Sequence, residues 1–240
     1  MIFNLRGQHV LIVGGSSGIG FAVARAALDL GARVTLAGRS MQRLAIARTG
    51  LQAAPAILAL DATDREGTGA ALAKVDPIDH LVLTAGGGST DGPVAEIGWQ
   101  GLADTMTNKL GAQVTALAAA LPHLTESASV TLTSGAASRS ATPGMGALTA
   151  TNAAIEALTR TLAVELAPCR VNVVSPGLVD TPGLATLAGD GKDAMLKNTA
   201  AVLPVGFVAK PEHIAPLYLA AITSRYVTGA VLDANGGALL

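Results

Sequence analysis

The residues best placed to do chemistry in this 240-residue chain lie in the run Val13-Gly14-Gly15-Ser16-Ser17-Gly18-Ile19-Gly20. An apolar stretch, Val10 to Val13, leads into it, and an amphipathic stretch, Phe21 to Leu30, leaves it. A strand, a glycine turn and a helix in that order form a site for a pyrophosphate. Gly14 permits the tight turn, Gly18 lets backbone N–H groups approach the phosphates, and Gly20 lets the helix pack close to the strand. The helix start, reached through Ser16, Ser17 and Ile19, points unpaired N–H groups and a positive dipole end at the anion. A plain tight turn is the alternative, and the strand before and helix after weigh against it.

The residue ending the second strand, about 20 positions further on, decides which dinucleotide fits. An acidic side chain there accepts hydrogen bonds from a ribose 2′-OH, but this chain has Gly38-Arg39-Ser40. Arg39 can pair bidentately with a 2′-phosphate, and no carboxylate repels it, so NADP(H) is the expected cofactor. Ser16 and Ser40 add hydroxyls. Asp61 is placed either to bind the adenine amino group or to cap a helix beginning near Asp64.

Groups for catalysis are fewer. Ser134, Ser138, Arg139 and Thr142 fall between a strand and a long helix, flanking the expected mouth of the site. Arg139 suits a carbonyl or an anionic substrate, whereas a serine without a base beside it is a poor acid. Each also reads as an ordinary loop residue. His9 and His80 open strands at the opposite end of the sheet, His123 follows a helix toward that end, and His213 opens a surface helix. No cluster has metal-ligand spacing, so no metal is expected.

The elements that position these residues alternate. Strands are expected at His9–Val13, Arg33–Ala37, Ala56–Leu60, His80–Thr84, Ser129–Thr133, Arg170–Val174 and Ala230–Asp233. Helices are expected at Gly18–Leu30, Met41–Thr49, Asp64–Lys74, Trp99–Leu121, Leu148–Ala167 and Pro211–Thr223. This rhythm predicts an α/β fold: one Rossmann-type domain over 1–240, a doubly wound parallel sheet of about seven strands with helices on both faces. A Gly-, Pro- and Thr-rich segment, about 178–204, interrupts the rhythm. It carries Leu178, Val179, Leu184, Leu187 and Met195, with a short helix near Asp193–Thr199, and it reads as a substrate lid or else a surface loop. Half the residues are hydrophobic, only 2% are aromatic, and the net charge is −1. Without a basic patch, nucleic acid is not an expected partner. No apolar run reaches a membrane span and no signal peptide is recognisable, so a cytoplasmic, membrane-free setting is expected. The single cysteine, Cys169, reads as a small buried residue.

Taken in order, these residues resemble the short-chain dehydrogenase/reductase family. The likeness runs through Gly14-x-x-x-Gly18-x-Gly20, Asp61-Ala62, Thr84-Ala85-Gly86 (the family usually has Asn-Ala-Gly), Asn108 with Gly111, Ser134, Pro176-Gly177 with Thr181, and Asn235-Gly236-Gly237. The resemblance implies that Ala85, Gly86 and the adjoining Gly87 line the cofactor. It implies that Asn108 supports a water relay, and that Pro176 to Thr181, Val179 included, hold the nicotinamide. It also implies a homodimer or homotetramer built on the two long helices. The family's chemistry uses a Ser, a Tyr and a Lys, and here those positions hold Gly135, Leu148 and Asn152. No Tyr-x-x-x-Lys exists anywhere, since Tyr218 and Tyr226 are followed four residues later by Ile222 and Ala230. Asn152 can still hydrogen-bond ribose hydroxyls but carries no charge. Losing acid/base help costs roughly 10²- to 10⁴-fold in rate, a severe loss but not a complete one. The expectations are therefore an oxidoreductase for a small carbonyl or alcohol with a non-standard proton relay, a silent NADP(H)-binding sensor or partner subunit, or a non-redox lyase or isomerase.

Overall fold

The structure is a computed structural model that describes residues 4–86 and 90–240. Seven strands form one parallel sheet in the order β3-β2-β1-β4-β5-β6-β7. They are β1 His9–Val13, β2 Arg33–Gly38, β3 Ala56–Ala59, β4 Ile78–Leu83, β5 Leu124–Thr133, β6 Arg170–Pro176 and β7 Val231–Ala234. Parallel strands need covered faces, and the central ones are nearly continuous apolar runs, as that requires. All five residues of β1 are buried.

Alternation sorts the core into two layers. Val10 and Ile12 point to a cluster with Ala22, Val23 and Ala27 of α1 (Gly18–Asp29) and Ile214 and Tyr218 of α9 (Pro211–Thr223). Leu11 and Val13 point the other way, to Leu72 of α3 (Arg65–Leu72), Ala116 and Leu117 of α5 (Ala112–Ala120), and Ile155 of α6 (Gly146–Glu165). The remaining helices are α2 Met41–Thr49, α4 Val94–Met106, α7 Pro182–Ala188 and α8 Lys192–Val202. The Ala-rich faces keep helix and sheet close. Cys169 is buried and unpaired, and burial raises its thiol pKa.

Several expected boundaries shift. β4 begins at Ile78, before His80, and β5 begins at Leu124, before Ser129. The pairing between those strands slips register between Ile78 and His80, so polar residues 125–127 still extend the strand. The helix expected over Trp99–Leu121 is three pieces: α4, a π-helical turn at Thr107–Gly111, and α5. α4 starts earlier, at Val94, and is interrupted at Gly98, whose φ of 53° is unavailable to most side chains. α6 begins at Gly146, two residues before Leu148. In the 178–204 segment, α7 joins the expected helix because Thr181 caps it, its Oγ1 accepting from Leu184 N at 3.1 Å, with Pro182 at the first position.

His9 and His80 are structural. His9 contacts the Pro77 carbonyl at 3.1 Å and Thr35 Oγ1 at 2.8 Å, while His80 sits between Ser129 Oγ at 2.8 Å and Gln8 Oε1 at 3.1 Å. Burial lowers the His80 pKa to about 4, with Asp79 opposing and Arg170 assisting. The unfolded chain therefore binds a proton near pH 6.5 that the folded chain resists. Stability from this group is complete above 6.5 and is lost as pH falls toward 4. Between pH 7 and pH 4.5, His80→Gln should lose less stability than the parent, by roughly 2–3 kcal/mol in urea unfolding. Equal losses in the two proteins would remove His80 as a contributor.

Candidate functional site

The strand order reverses between β1 and β4, which opens a crevice at their carboxyl ends. One carbonyl closes its floor. Val13 O accepts from Thr84 N and Ala85 N, both at 2.9 Å, and from Thr84 Oγ1 at 3.1 Å. Gly14 N reaches across to Ala37 O on β2 at 2.8 Å. Gly14 has φ +95°, and a Cβ there would lie 2.6 Å from Ala85 N and 2.7 Å from Thr84 Oγ1. A Cβ on Gly20 would collide with the Gly14 carbonyl and Thr84 Oγ1. A Cβ on Gly18 would stand 3.3 Å from Thr181 Cγ2, so the turn also meets the segment after β6.

The start of α1 is open. Ser17, its N-cap residue, makes no side-chain cap hydrogen bond, and the first turn holds no acidic residue. Three other helix starts are closed by side chains: α2 by Ser40, α3 by Asp64 and α7 by Thr181. Ser16, Ser17 and Ile19 are half-buried around the open end. At the end of β2, Arg39 is exposed and close enough to Asp61 to lower its pKa, behind the larger effects of hydrogen bonds from Thr63 N and Oγ1. Asp61 does not cap α3. Asp64 does, accepting from Gly67 N at 3.1 Å, because it directly precedes the first helical residue. Ala62 is buried behind Asp61.

At the end of β5 a carboxylate gathers the candidate catalytic groups. Glu156 Oε1 accepts from Ser134 Oγ at 2.9 Å and from Ser138 Oγ at 2.7 Å, and its Oε2 lies 3.7 Å from Arg139 Nε. Arg139 is held more strongly by Asp233 of β7, through both terminal nitrogens. That pairing raises the guanidinium pKa further. Asn108, in the π-turn, is exposed. Its neighbour Lys109 sends Nζ to the Ser134 carbonyl at 3.0 Å, and burial lowers that amine to about 8. Asn152 is buried, and its Oδ1 has no hydrogen-bond partner among the described residues. After β6, Gly177 N bonds Ala234 O at 3.0 Å and Val179 bridges to Ala209, fixing the chain from Pro176 to Thr181 at the rim. Asp180 pairs with Lys192 of α8 at 2.6 Å. Gly87 and the Leu187 side chain lie outside the described residues.

A family model described as enoyl-(acyl carrier protein) reductase matches residues 13–238. The short-chain dehydrogenase/reductase malC of Malbranchea aurantiaca is 35% identical over 254 residues, covering 98% of this chain and 96% of that protein. The chain belongs to the short-chain dehydrogenase/reductase family. Among solved structures, a small-chain dehydrogenase in complex with NADPH is 34% identical, with a TM-score of 0.85 over 97% of this chain and 98% of that one. The MalC reductase/Diels-Alderase of Malbranchea aurantiaca is 32% identical, with a TM-score of 0.89 over 97% and 96%.

Within this family frame, Leu148 lies half-buried in the first turn of α6, and Asn152 follows one turn later. A Cβ on Gly135 would stand 3.0 Å from Asn152 Nδ2. The structure thus brings Gly135, Asn152, Ser134 and Lys109 together, and turns the hydroxyl of Ser134 toward Glu156. Lys109 and Glu156 were not among the residues expected from sequence. Glu156 had a signal, since it follows Asn152 by four residues on one helical face. Lys109 had none beyond adjacency to Asn108.

Gly14→Ala should cost about 2 kcal/mol or more in unfolding free energy, and should cost more than Gly7→Ala. Gly7 has φ +78° but no atom within 4 Å of a notional Cβ, so it reports backbone strain alone. Equal costs at the two glycines would show that the contact with Thr84 and Ala85 contributes nothing.

Proposed function

We propose that this chain is an NADP(H)-dependent oxidoreductase acting on a small carbonyl or its alcohol, with a proton relay unlike the usual one of its family. The observation that carries the cofactor assignment is the open start of α1 beside exposed Arg39. A helix of 12 residues presents an uncapped N-terminus at the sheet's switch point, without an acidic residue to repel phosphate. Gly14, Ser16, Ser17, Gly18, Ile19 and Gly20 would hold the pyrophosphate. Arg39 and Ser40 would hold the 2′-phosphate, and the unpaired oxygen of Asp61 with Ala62 would meet the adenine. Ser40 spends an acceptor lone pair on Arg43 N, which leaves its hydroxyl proton free for phosphate. Ala85, Gly86, Asn152 and the rim from Pro176 to Thr181, with Gly177 and Val179, would enclose the nicotinamide half. The NADPH-bound dehydrogenase at 34% identity supports the same choice.

Bound NADPH supplies a hydride; the residues of the chain bind, orient and exclude water. The segment 178–204, carrying α7 and α8, would act as the lid over a partly apolar substrate. Val94, Trp99 and Val164 expose large apolar side chains on α4 and α6, which supports self-association through those helices.

A silent cofactor-binding protein is the second reading. It is favoured by the engagement of Ser134 with Glu156 and of Arg139 with Asp233, with Leu148 standing at the family's tyrosine position. The Diels-Alderase in the name of a structural relative supports a non-redox variant of the same pocket.

NADPH should bind at least tenfold more tightly than NADH by fluorescence titration. Arg39→Ala should remove roughly 10- to 100-fold of that preference, as expected for charge-assisted hydrogen bonds to phosphate. Equal affinity for the two cofactors, or no loss on substitution, would overturn the NADP(H) assignment. NADPH oxidation across a carbonyl panel should exceed background. Tight NADPH binding without turnover would favour the silent reading, and product formed without NADPH consumption the non-redox one.

A further inference from the structure

We propose that Lys109 is the proton donor of this site, giving an ammonium hydrogen to the substrate's carbonyl oxygen; this rests on the oxidoreductase reading above. The π-turn Thr107–Gly111 presses the backbone against the end of β4. A Cβ on Gly86 would lie 2.9 Å from Lys109 Cα and 3.2 Å from its Cγ. The lysine stem therefore crosses the carboxyl end of β4, and Nζ ends 3.0 Å from the Ser134 carbonyl at the carboxyl end of β5. The end of β4 borders the crevice where open parallel sheets hold ligands, and the end of β5 is the next along the same rim.

The hydrogen bonding there is incomplete in a complementary way. An ammonium has three hydrogens, and only the one to Ser134 O has a partner among the described residues. Beside Gly135, buried Asn152 Oδ1 is an acceptor without a donor among the described residues. Gly135 has no Cβ to separate Asn152 from this segment. The spare hydrogens of Lys109 suit an oxygen that accepts a hydrogen bond first and carries a proton afterwards. A carbonyl becoming an alcohol is such an oxygen.

The side chains gathered around Glu156 are already engaged. Ser134 and Ser138 give their hydroxyl protons to Glu156, and Arg139 is claimed by Asp233. Charged and titratable groups on the elements packed around Lys109 are Glu96 and Asp104 on α4, Glu156, Arg160 and Glu165 on α6, Asp79 and His80 on β4, Glu126 on β5, and Arg139 in the turn between β5 and α6. None of them offsets the burial that draws the amine down to about 8. At that value the amine is largely protonated at neutral pH and still yields its proton readily, the range that suits a general acid.

The step balances. As the carbonyl carbon takes up hydride from the nicotinamide cofactor, the C=O π pair moves onto oxygen. An N–H bond of Lys109 breaks, an O–H bond forms, and the neutral amine regains a proton from water. Alcohol oxidation is the reverse, with the neutral amine as base.

The test uses the full-length protein and the variants Lys109→Met, Lys109→Arg and Lys109→Met/Asn152→Lys. With ¹⁵N-labelled lysine, the Lys109 amine should titrate near 8 in the cofactor-free protein. With a carbonyl turned over by the parent, the parent's kcat should fall as pH rises through that region, because the acid must be protonated. Lys109→Met should lose roughly 10²-fold or more in kcat while NADPH affinity stays within a few fold, and its remaining rate should lack that pH step. Lys109→Arg should lose kcat as well, since guanidinium keeps its proton. The double variant should regain part of the rate by returning an ammonium from position 152. An amine titrating at an ordinary lysine value, a pH-independent parent kcat, or full turnover in Lys109→Met would overturn the proposal and leave the oxidoreductase reading standing. A parent that binds NADPH yet reduces no carbonyl would overturn both.

Discussion

The carbonyl of Val13 is the constraint on which this molecule depends. It ends the central strand and accepts three hydrogen bonds from Thr84 and Ala85. Those bonds draw the end of β4 so close to the glycine turn that residues 14 and 20 have no room for a Cβ. The helix must then start where the turn ends, and its free N–H groups face the gap opened by the reversal of strand order. Threonine at 84 suits this role because its hydroxyl donates to Val13 O while its backbone continues toward Gly86. Fold and cofactor crevice thus share one set of contacts, and the crevice cannot be loosened without loosening the centre of the sheet.

Away from that centre, most buried polar side chains are packed against partners. His80 stays neutral between Gln8 and Ser129. Arg170 donates to the carbonyls of Ala221, Ile222 and Ser224 and closes the end of α9. Tyr218, fully buried, shares a hydrogen with Thr133 Oγ1 at 2.6 Å, and burial raises its pKa. The phenol therefore ties α9 to β5 and is removed from acid/base work. Thr131 Oγ1 joins Asn152 Oδ1 as a buried side-chain atom without a partner among the described residues. Of the two, only Asn152 stands at the carboxyl end of the sheet, beside a segment with a donor to spare.

Periodicity made the sheet legible. β1, α2 and α9 fall where apolar runs and helical spacing put them, because β1 is apolar from Val10 to Val13 and buried on both faces, and the two helices have clear punctuation. Ser40 marks the start of α2, and Lys210-Pro211 the start of α9. Failures came where tertiary contacts overrode local pattern. The polar start of β5 extends because it pairs with Ile78 across a slipped register. The long helix over Trp99–Leu121 breaks because the π-turn fits against Gly86, a contact remote in sequence. In the site, the phosphate-binding half was legible because it is one contiguous strand, turn and helix. The catalytic half was not, since Ser134, Glu156, Arg139 and Asp233 meet only after β5, α6 and β7 assemble. Lys109 escaped notice because the family pattern directs attention to α6, and nothing in the run Thr107-Asn108-Lys109-Leu110 shows that its side chain reaches the end of β5.

Charge accounting at the sheet's carboxyl end explains why losing the usual tyrosine and lysine need not empty the site. Two carboxylates, Glu156 and Asp233, face one guanidinium, Arg139, which leaves that group with one negative charge in excess. Neither serine hydroxyl is free to give its proton to a ligand, because Glu156 takes both. Lys109 lies outside that balance. Its contact is a neutral carbonyl, which orients an ammonium without cancelling its charge, and its surroundings favour the neutral amine. A cation in this state lowers its own cost by meeting an oxygen that gains negative charge, and that gain is larger for an alkoxide than for a carbonyl. Preference for the charge that develops, over the charge already present, is what separates catalysis from binding. Position 152 on α6 carries a neutral amide, and the π-turn of the neighbouring helix brings the Lys109 ammonium to the end of β5 instead.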